Sequence, residues 1–124
     1  MVKKILVVDD EASVVKALTK SLQFQGYDVI TAASGKECIC KAEEYCPDVI
    51  LLDVLMPELN GLEVCKLLKD NEKTKNIPVI MLTALADEED AVKGLEEGAR
   101  CYITKPYNLM DLLGEIKSAL ANRS

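Results

Sequence analysis

Histidine is absent from the sequence, so a metal centre in this chain would have no imidazole to draw on. The five cysteines are an odd number and contain no Cys-x-x-Cys pair, which leaves neither a disulfide framework nor a zinc site well supported. Cys38 and Cys40 lie two apart in a helical segment and do not share a face, and the expected use of the thiols is packing as small apolar groups. No segment reaches the roughly eighteen consecutive apolar residues of a membrane helix. The N-terminus shows no basic region, long apolar run and small-residue cleavage site of the kind export requires, so a cytoplasmic location is expected. Positive charge is also short. Fifteen basic against twenty-one acidic side chains give a formal charge of -6, which opposes direct binding to nucleic acid and favours cations or proteins as partners.

What is present is ordinary for one globular domain: 124 residues, 49% hydrophobic and 29% charged, enough for a single sizeable core. Short β-branched runs alternate with segments of helical period. Residues 3–8 read as a first strand, and Val14, Val15, Leu18 and Leu22 recur at helical spacing until Gly26. Residues 27–32 form a second strand. Ser34 and Glu37 then make a capping box for a helix that runs to Tyr45 and stops at Cys46-Pro47. Val49-Ile50-Leu51-Leu52 is the most continuously apolar run, expected of a central parallel strand covered on both faces and ended by Asp53. Asn60 caps a third helix with Leu62, Val64, Cys65, Leu67 and Leu68 on its buried side. Residues 77–82 are strand four, Asp87 caps a helix to 97, residues 99–103 are strand five, and Asn108 caps the last helix to about Ala121. A (βα) unit repeated five times specifies an α/β fold, a doubly wound parallel sheet with helices on both faces in three layers, α/β/α.

In such a sheet, ligands bind at the carboxyl ends of the strands. Strand one ends in Asp9 and Asp10, strand three in Asp53, strand four in Thr83, and strand five is followed by Thr104, Lys105 and Pro106. Three carboxylates, a hydroxyl and an ammonium therefore meet at one edge. Adjacent acids after an apolar strand are unfavourable unless a positive group offsets them. An all-oxygen set suits magnesium, or manganese, better than zinc. With such an ion, one carboxylate can attack a phosphoryl group while a lysine neutralises its oxygens; Asp53, on the central strand, is the candidate nucleophile.

The stretches VVDDE at Val7 to Glu11, LLDVLMPELNG at Leu51 to Gly61, MLTA at Met81 to Ala84 and ARCYITKPY at Ala99 to Tyr107 resemble the receiver domain of two-component response regulators, over essentially the whole chain. The resemblance implies the flavodoxin-like strand order 2-1-3-4-5 for the five-stranded sheet. It implies that Asp53 accepts a phosphoryl group from a phosphohistidine on a sensor histidine kinase or phosphotransfer protein. Asp10 would bind Mg2+ directly and Asp9 largely through water, with Asp53 and the backbone carbonyl of Leu55 completing the protein ligands. Thr83 would hydrogen-bond one phosphoryl oxygen and Lys105 would pair with another. Pro57 and Gly61 would shape the loop after Asp53, and a cis peptide before Pro106 would aim the ammonium inward. Tyr102 would be the switch aromatic, turning inward as Thr83 moves. The fourth helix, fifth strand and fifth helix would then carry the change to a downstream protein or to an output domain on a longer chain, as a monomer or a phosphorylation-dependent dimer.

Departures from the family pattern are informative. Winged-helix regulators usually carry two acids where this chain has Arg100 and Cys101, which puts their charge-paired dimer in doubt. Leu55 and Leu85, two residues after Asp53 and Thr83, cannot activate water, so slow loss of the phosphoryl group is expected. Three other readings compete. A haloacid-dehalogenase-type aspartyl-phosphate phosphatase would need an acid at Leu55. An FMN carrier would have its phosphate repelled by Asp9-Asp10-Glu11, and a degenerate receiver serving as a metal-binding or scaffold module leaves Thr83 and Lys105 without a task. Glu11 has no firm role beyond favouring the start of the first helix.

Overall fold

The computed structural model describes residues 2–84 and 88–121, with the backbone alone at 88, 90 and 91. Its elements run β1 (Lys4–Val8), α1 (Ala12–Phe24), β2 (Asp28–Ala32), α2 (Gly35–Tyr45), β3 (Val49–Asp53), α3 (Gly61–Lys69), β4 (Val79–Ala84), α4 (Glu88–Glu96), β5 (Cys101–Lys105) and α5 (Leu109–Ala121). All four strand pairings are parallel, in the order β2-β1-β3-β4-β5. The expected fold class and strand order are both observed. Asp87 and Leu85 lie outside the described residues.

Strand alternation divides the core into two layers. Leu6, Val8, Ile50, Leu52, Val79 and Met81 pack with Cys38, Ala42, Val64, Cys65 and Leu68 from α2 and α3. Ile5, Val7, Val49, Leu51, Ile80 and Leu82 pack with Leu18 and Leu22 of α1 and with Leu112, Leu113 and Ile116 of α5. Every residue of β3 is buried, as its unbroken apolar run requires.

The structure corrects several local expectations. β4 starts two residues later than hydropathy suggested and continues through Ala84, while β5 covers 101–105 rather than 99–103. The reason is the ladder: Thr83 pairs with Thr104 and Ala84 with Lys105, so main-chain pairing persists after the apolar pattern has stopped. Asp53 likewise belongs to β3 and pairs with Leu82. Leu67 is 46% exposed, because the buried stripe of α3 is Gly61, Val64, Cys65 and Leu68 and Leu67 falls beside it. Glu37 does not close a box with Ser34. Its N–H bonds the Ser34 hydroxyl, but its carboxylate accepts from Ala33 N one residue further back. Cys38 and Cys65 are buried as expected, whereas Cys40 and Cys46 are exposed and Cys101 is half-buried; all five are free thiols.

A complete capping box occurs at α3, where Glu63 N donates to Asn60 Oδ1 and Asn60 N to Glu63 Oε1. Asn60→Ala removes the acceptor and is expected to cost about 1 kcal/mol of folding stability, measurable by urea denaturation. An unchanged midpoint would mean that packing alone holds this helix start.

Candidate phosphoryl and metal site

The main-chain ladder explains why distant acids meet. Val7 pairs with Leu51, so extending β1 and β3 by two residues sets Asp9 beside Asp53. Alternation assigns Asp9, Asp53 and Lys105 the sheet face of Val7, Leu51 and Ile103, and Thr83 and Tyr102 the opposite face with Met81.

Carboxylate oxygens of Asp9, Asp10 and Asp53 lie within 4.8 Å of one another. Asp9 and Asp53 are buried, Asp10 is exposed at the mouth. Lys105 Nζ stands 3.3 Å from Asp53 Oδ1 and 3.5 Å from Asp9 Oδ2. One ammonium thus serves both buried acids, Asp9 and Asp53. Burial, then the charge of Asp9, pushes the Asp53 carboxyl up to about 6, although Lys105 and a hydrogen bond from the Leu55 backbone pull the other way. For Lys105, burial alone would favour the neutral amine, but Asp53 and Asp9 outweigh it and its pKa is raised.

Asp9 Oδ1 accepts from Glu11 N at 2.9 Å, an Asx turn that holds the carboxylate before α1 starts. Its other oxygen, Oδ2, is buried and has no hydrogen bond. A buried carboxylate oxygen with no hydrogen bond among the described residues and only the Lys105 ammonium near it at 3.5 Å, set among three acids with no imidazole or thiol, fits a hard divalent cation such as Mg2+ or Mn2+. Glu11 itself makes no side-chain cap to α1, so its suggested helix-starting role gains no hydrogen bond.

Thr83 is buried at the end of β4, one residue beyond Leu82, the register partner of Asp53, and its hydroxyl donates to Ala84 O at 3.2 Å. Tyr102 is half-buried against the α2–α3 side of the core. The Lys105–Pro106 peptide is cis. Leu55 is 55% exposed beside the site. Pro57 lies in the loop 54–60, and Gly61 N donates to Val54 O at 2.8 Å to close it. Sequence reasoning did not find the Glu11 N–H as the donor to Asp9, although the Asp-x-Glu spacing carries the signal of an Asx turn.

The parallel 2-1-3-4-5 sheet with three acids and a lysine at its carboxyl edge defines a doubly wound α/β domain with an acidic site at that edge. Residues 5–117 match the response regulator receiver domain family, and the chain belongs to it. It is 49% identical over 120 residues to the alkaline phosphatase synthesis transcriptional regulatory protein PhoP of Bacillus subtilis, covering 97% of this chain and 49% of that protein. It is 38% identical to the DNA-binding response regulator MtrA of Mycobacterium leprae, covering 97% of this chain and 52% of that protein. The chain thus spans about half the length of these curated relatives. Among solved structures it superposes on the chemotaxis protein CheY4 of Vibrio cholerae with a TM-score of 0.89 at 36% identity, covering 97% of this chain and all of that one. A response regulator receiver domain protein from Clostridium thermocellum gives a TM-score of 0.91 at 34% identity, covering 97% and 95%. The protein is a receiver module of two-component signalling. Among the described residues, no helix is long and apolar enough to cross a membrane.

Proposed function

We propose that this receiver takes a phosphoryl group onto Asp53 from a phosphohistidine of a sensor histidine kinase or phosphotransfer protein, in a Mg2+-dependent reaction in the cytoplasm. The observation that carries the reading is the cluster of Asp9, Asp10 and Asp53, in which the buried Asp53 and Asp9 share Lys105. Asp10, Asp9, Asp53 and the carbonyl of Leu55 would hold the ion, which when bound neutralises charge on the transferring group. Lys105 stays cationic and pairs with one phosphoryl oxygen, and the Thr83 hydroxyl leaves Ala84 O to donate to another. A groove of about 530 Å³ opens beside Asp9 and Asp10, along Ala12, Val15 and Thr19 of α1, and is large enough to seat a few side chains of a donor protein. Tyr102 follows Thr83 inward, and the α4-β5-α5 surface passes the change to a downstream protein or an attached output domain. The domain is thus a switch that catalyses its own modification and its slow loss, rather than an enzyme acting on other substrates.

Incubation with a small acyl phosphate and Mg2+, followed by intact mass measurement, is expected to add one phosphoryl group, and EDTA to prevent it. Absence of label under both conditions would favour the metal-binding or scaffold reading.

Leu55 lines the approach to Asp53 and offers no hydrogen bond to an incoming water. Leu55→Asn is therefore expected to shorten the lifetime of the phosphoryl group several-fold. Timing its loss after removal of the donor checks this; an unchanged or longer lifetime would contradict it.

A further inference from the structure

Met81 is fully buried on β4, two residues before Thr83 and on the same face of the sheet. It is paired in register with Tyr102 of β5, so the two side chains are neighbours across adjacent strands. On its outer side lies α4. A Cβ built on Gly94 would overlap the Met81 sulfur and stand 3.2 Å from its terminal methyl, with Leu62 of α3 at 3.5 Å. The α4 backbone therefore rests directly on the thioether, in a notch that exists because residue 94 has no side chain.

Glycine inside a helix is destabilising relative to alanine, so its presence at 94 calls for a packing reason. The notch supplies it. Protein cores are close-packed, and a tyrosine ring turning inward at 102 must displace something. Met81 is the flexible neighbour able to yield, because its side chain is unbranched with three rotatable bonds. Where it can go depends on the notch.

We propose that Met81, seated against Gly94, is a positioning residue that governs whether Tyr102 can turn inward, and so links the phosphoryl site to the placement of α4. This rests on the phosphoacceptor reading above. Filling the notch removes the slack on the α4 side and holds Tyr102 outward; shortening Met81 restores it.

The test uses protein labelled with fluorotyrosine, its Tyr102 resonance assigned by Tyr102→Phe, and fluorine NMR with and without Mg2+ and beryllofluoride as a stable phosphoryl mimic. In the wild type, Tyr102 is expected to shift on adding the mimic. Gly94→Ala is expected to lose most of that shift while Asp53 still takes label from an acyl phosphate, and Gly94→Ala with Met81→Ala is expected to regain it. A full shift in Gly94→Ala, or no recovery in the double variant, would overturn the proposal. Should Gly94→Ala fail to fold, Met81→Ala alone is expected to move the Tyr102 resonance partway without the mimic, and an unmoved resonance would overturn the proposal. Wild type that takes no label sinks the phosphoacceptor reading and this inference together. Wild type that takes label with Tyr102 unmoved sinks this inference alone.

Discussion

Asp53→Asn is expected to abolish phosphoryl uptake and, in protein freed of divalent cations, to raise folding stability at neutral pH by on the order of 2 kcal/mol. The two effects have one cause. The carboxylate proposed to attack phosphorus shares one ammonium with Asp9, and its pKa is raised from 3.8 to about 6 by burial and by Asp9. A carboxyl that binds its proton more tightly when folded costs nothing below pH 4. It becomes progressively destabilising as pH rises through about 6, because ionisation is easier in the unfolded chain. An asparagine escapes that cost. Its advantage in urea denaturation with EDTA should be full above pH 6 and vanish near pH 4, and Mg2+ should narrow it by stabilising the wild type through binding. A variant no more stable than wild type at pH 7 would refute the electrostatic account, and one that still gains phosphoryl mass would refute Asp53 as the acceptor.

Gly61→Ala is expected to destabilise the domain by about 3 kcal/mol and to weaken phosphoryl uptake with it. A Cβ at this position would come 2.7 Å from the Asp53 carbonyl oxygen and 2.8 Å from Val54 Cα, main-chain atoms of the last residue of β3, which carries the proposed acceptor, and of the residue after it. Backbone cannot swing aside as a side-chain tip can. Either α3 retreats or the end of β3 moves, and the second displaces the Asp53 carboxylate. Gly26 is the control: a Cβ there meets nothing within 4 Å, and its only demand is a φ of +94°. Gly26→Ala should therefore cost about 1 kcal/mol, from backbone strain, and leave uptake unchanged. Equal losses for the two variants in urea melts and labelling rates would argue against the steric account.

The alternation of apolar runs and helical stripes made the five (βα) units legible, and the motifs at their ends made the site legible. The strand ends were less so. Thr83 read as the end of its strand and Lys105 as lying beyond one, because hydropathy falls at Leu82 and Ile103, yet the ladder runs on to pair Thr83 with Thr104 and Ala84 with Lys105. Leu67 illustrates the same limit in a helix: its apolar character suggests burial, but its angular position leaves it in water. Glu37 reached Ala33 rather than Ser34, a choice of one residue that depends on how the chain leaves β2.

By itself the sequence determined the class of fold, the strand order through family resemblance, and the identity of the acids, hydroxyl and lysine that the carboxyl edge would gather. These are local properties: period, turn chemistry and residue type at the end of a run. Tertiary structure alone decided that Lys105 is shared between Asp9 and Asp53, that the buried Asp9 Oδ2 meets only that ammonium and no hydrogen bond among the described residues, and that Gly61 and Gly94 are places of close approach. Burial and contact arise between segments more than ten residues apart. No local pattern encodes how near two elements come, and it is that distance which sets the charge balance at Asp53 and the close packing of Gly94 on Met81.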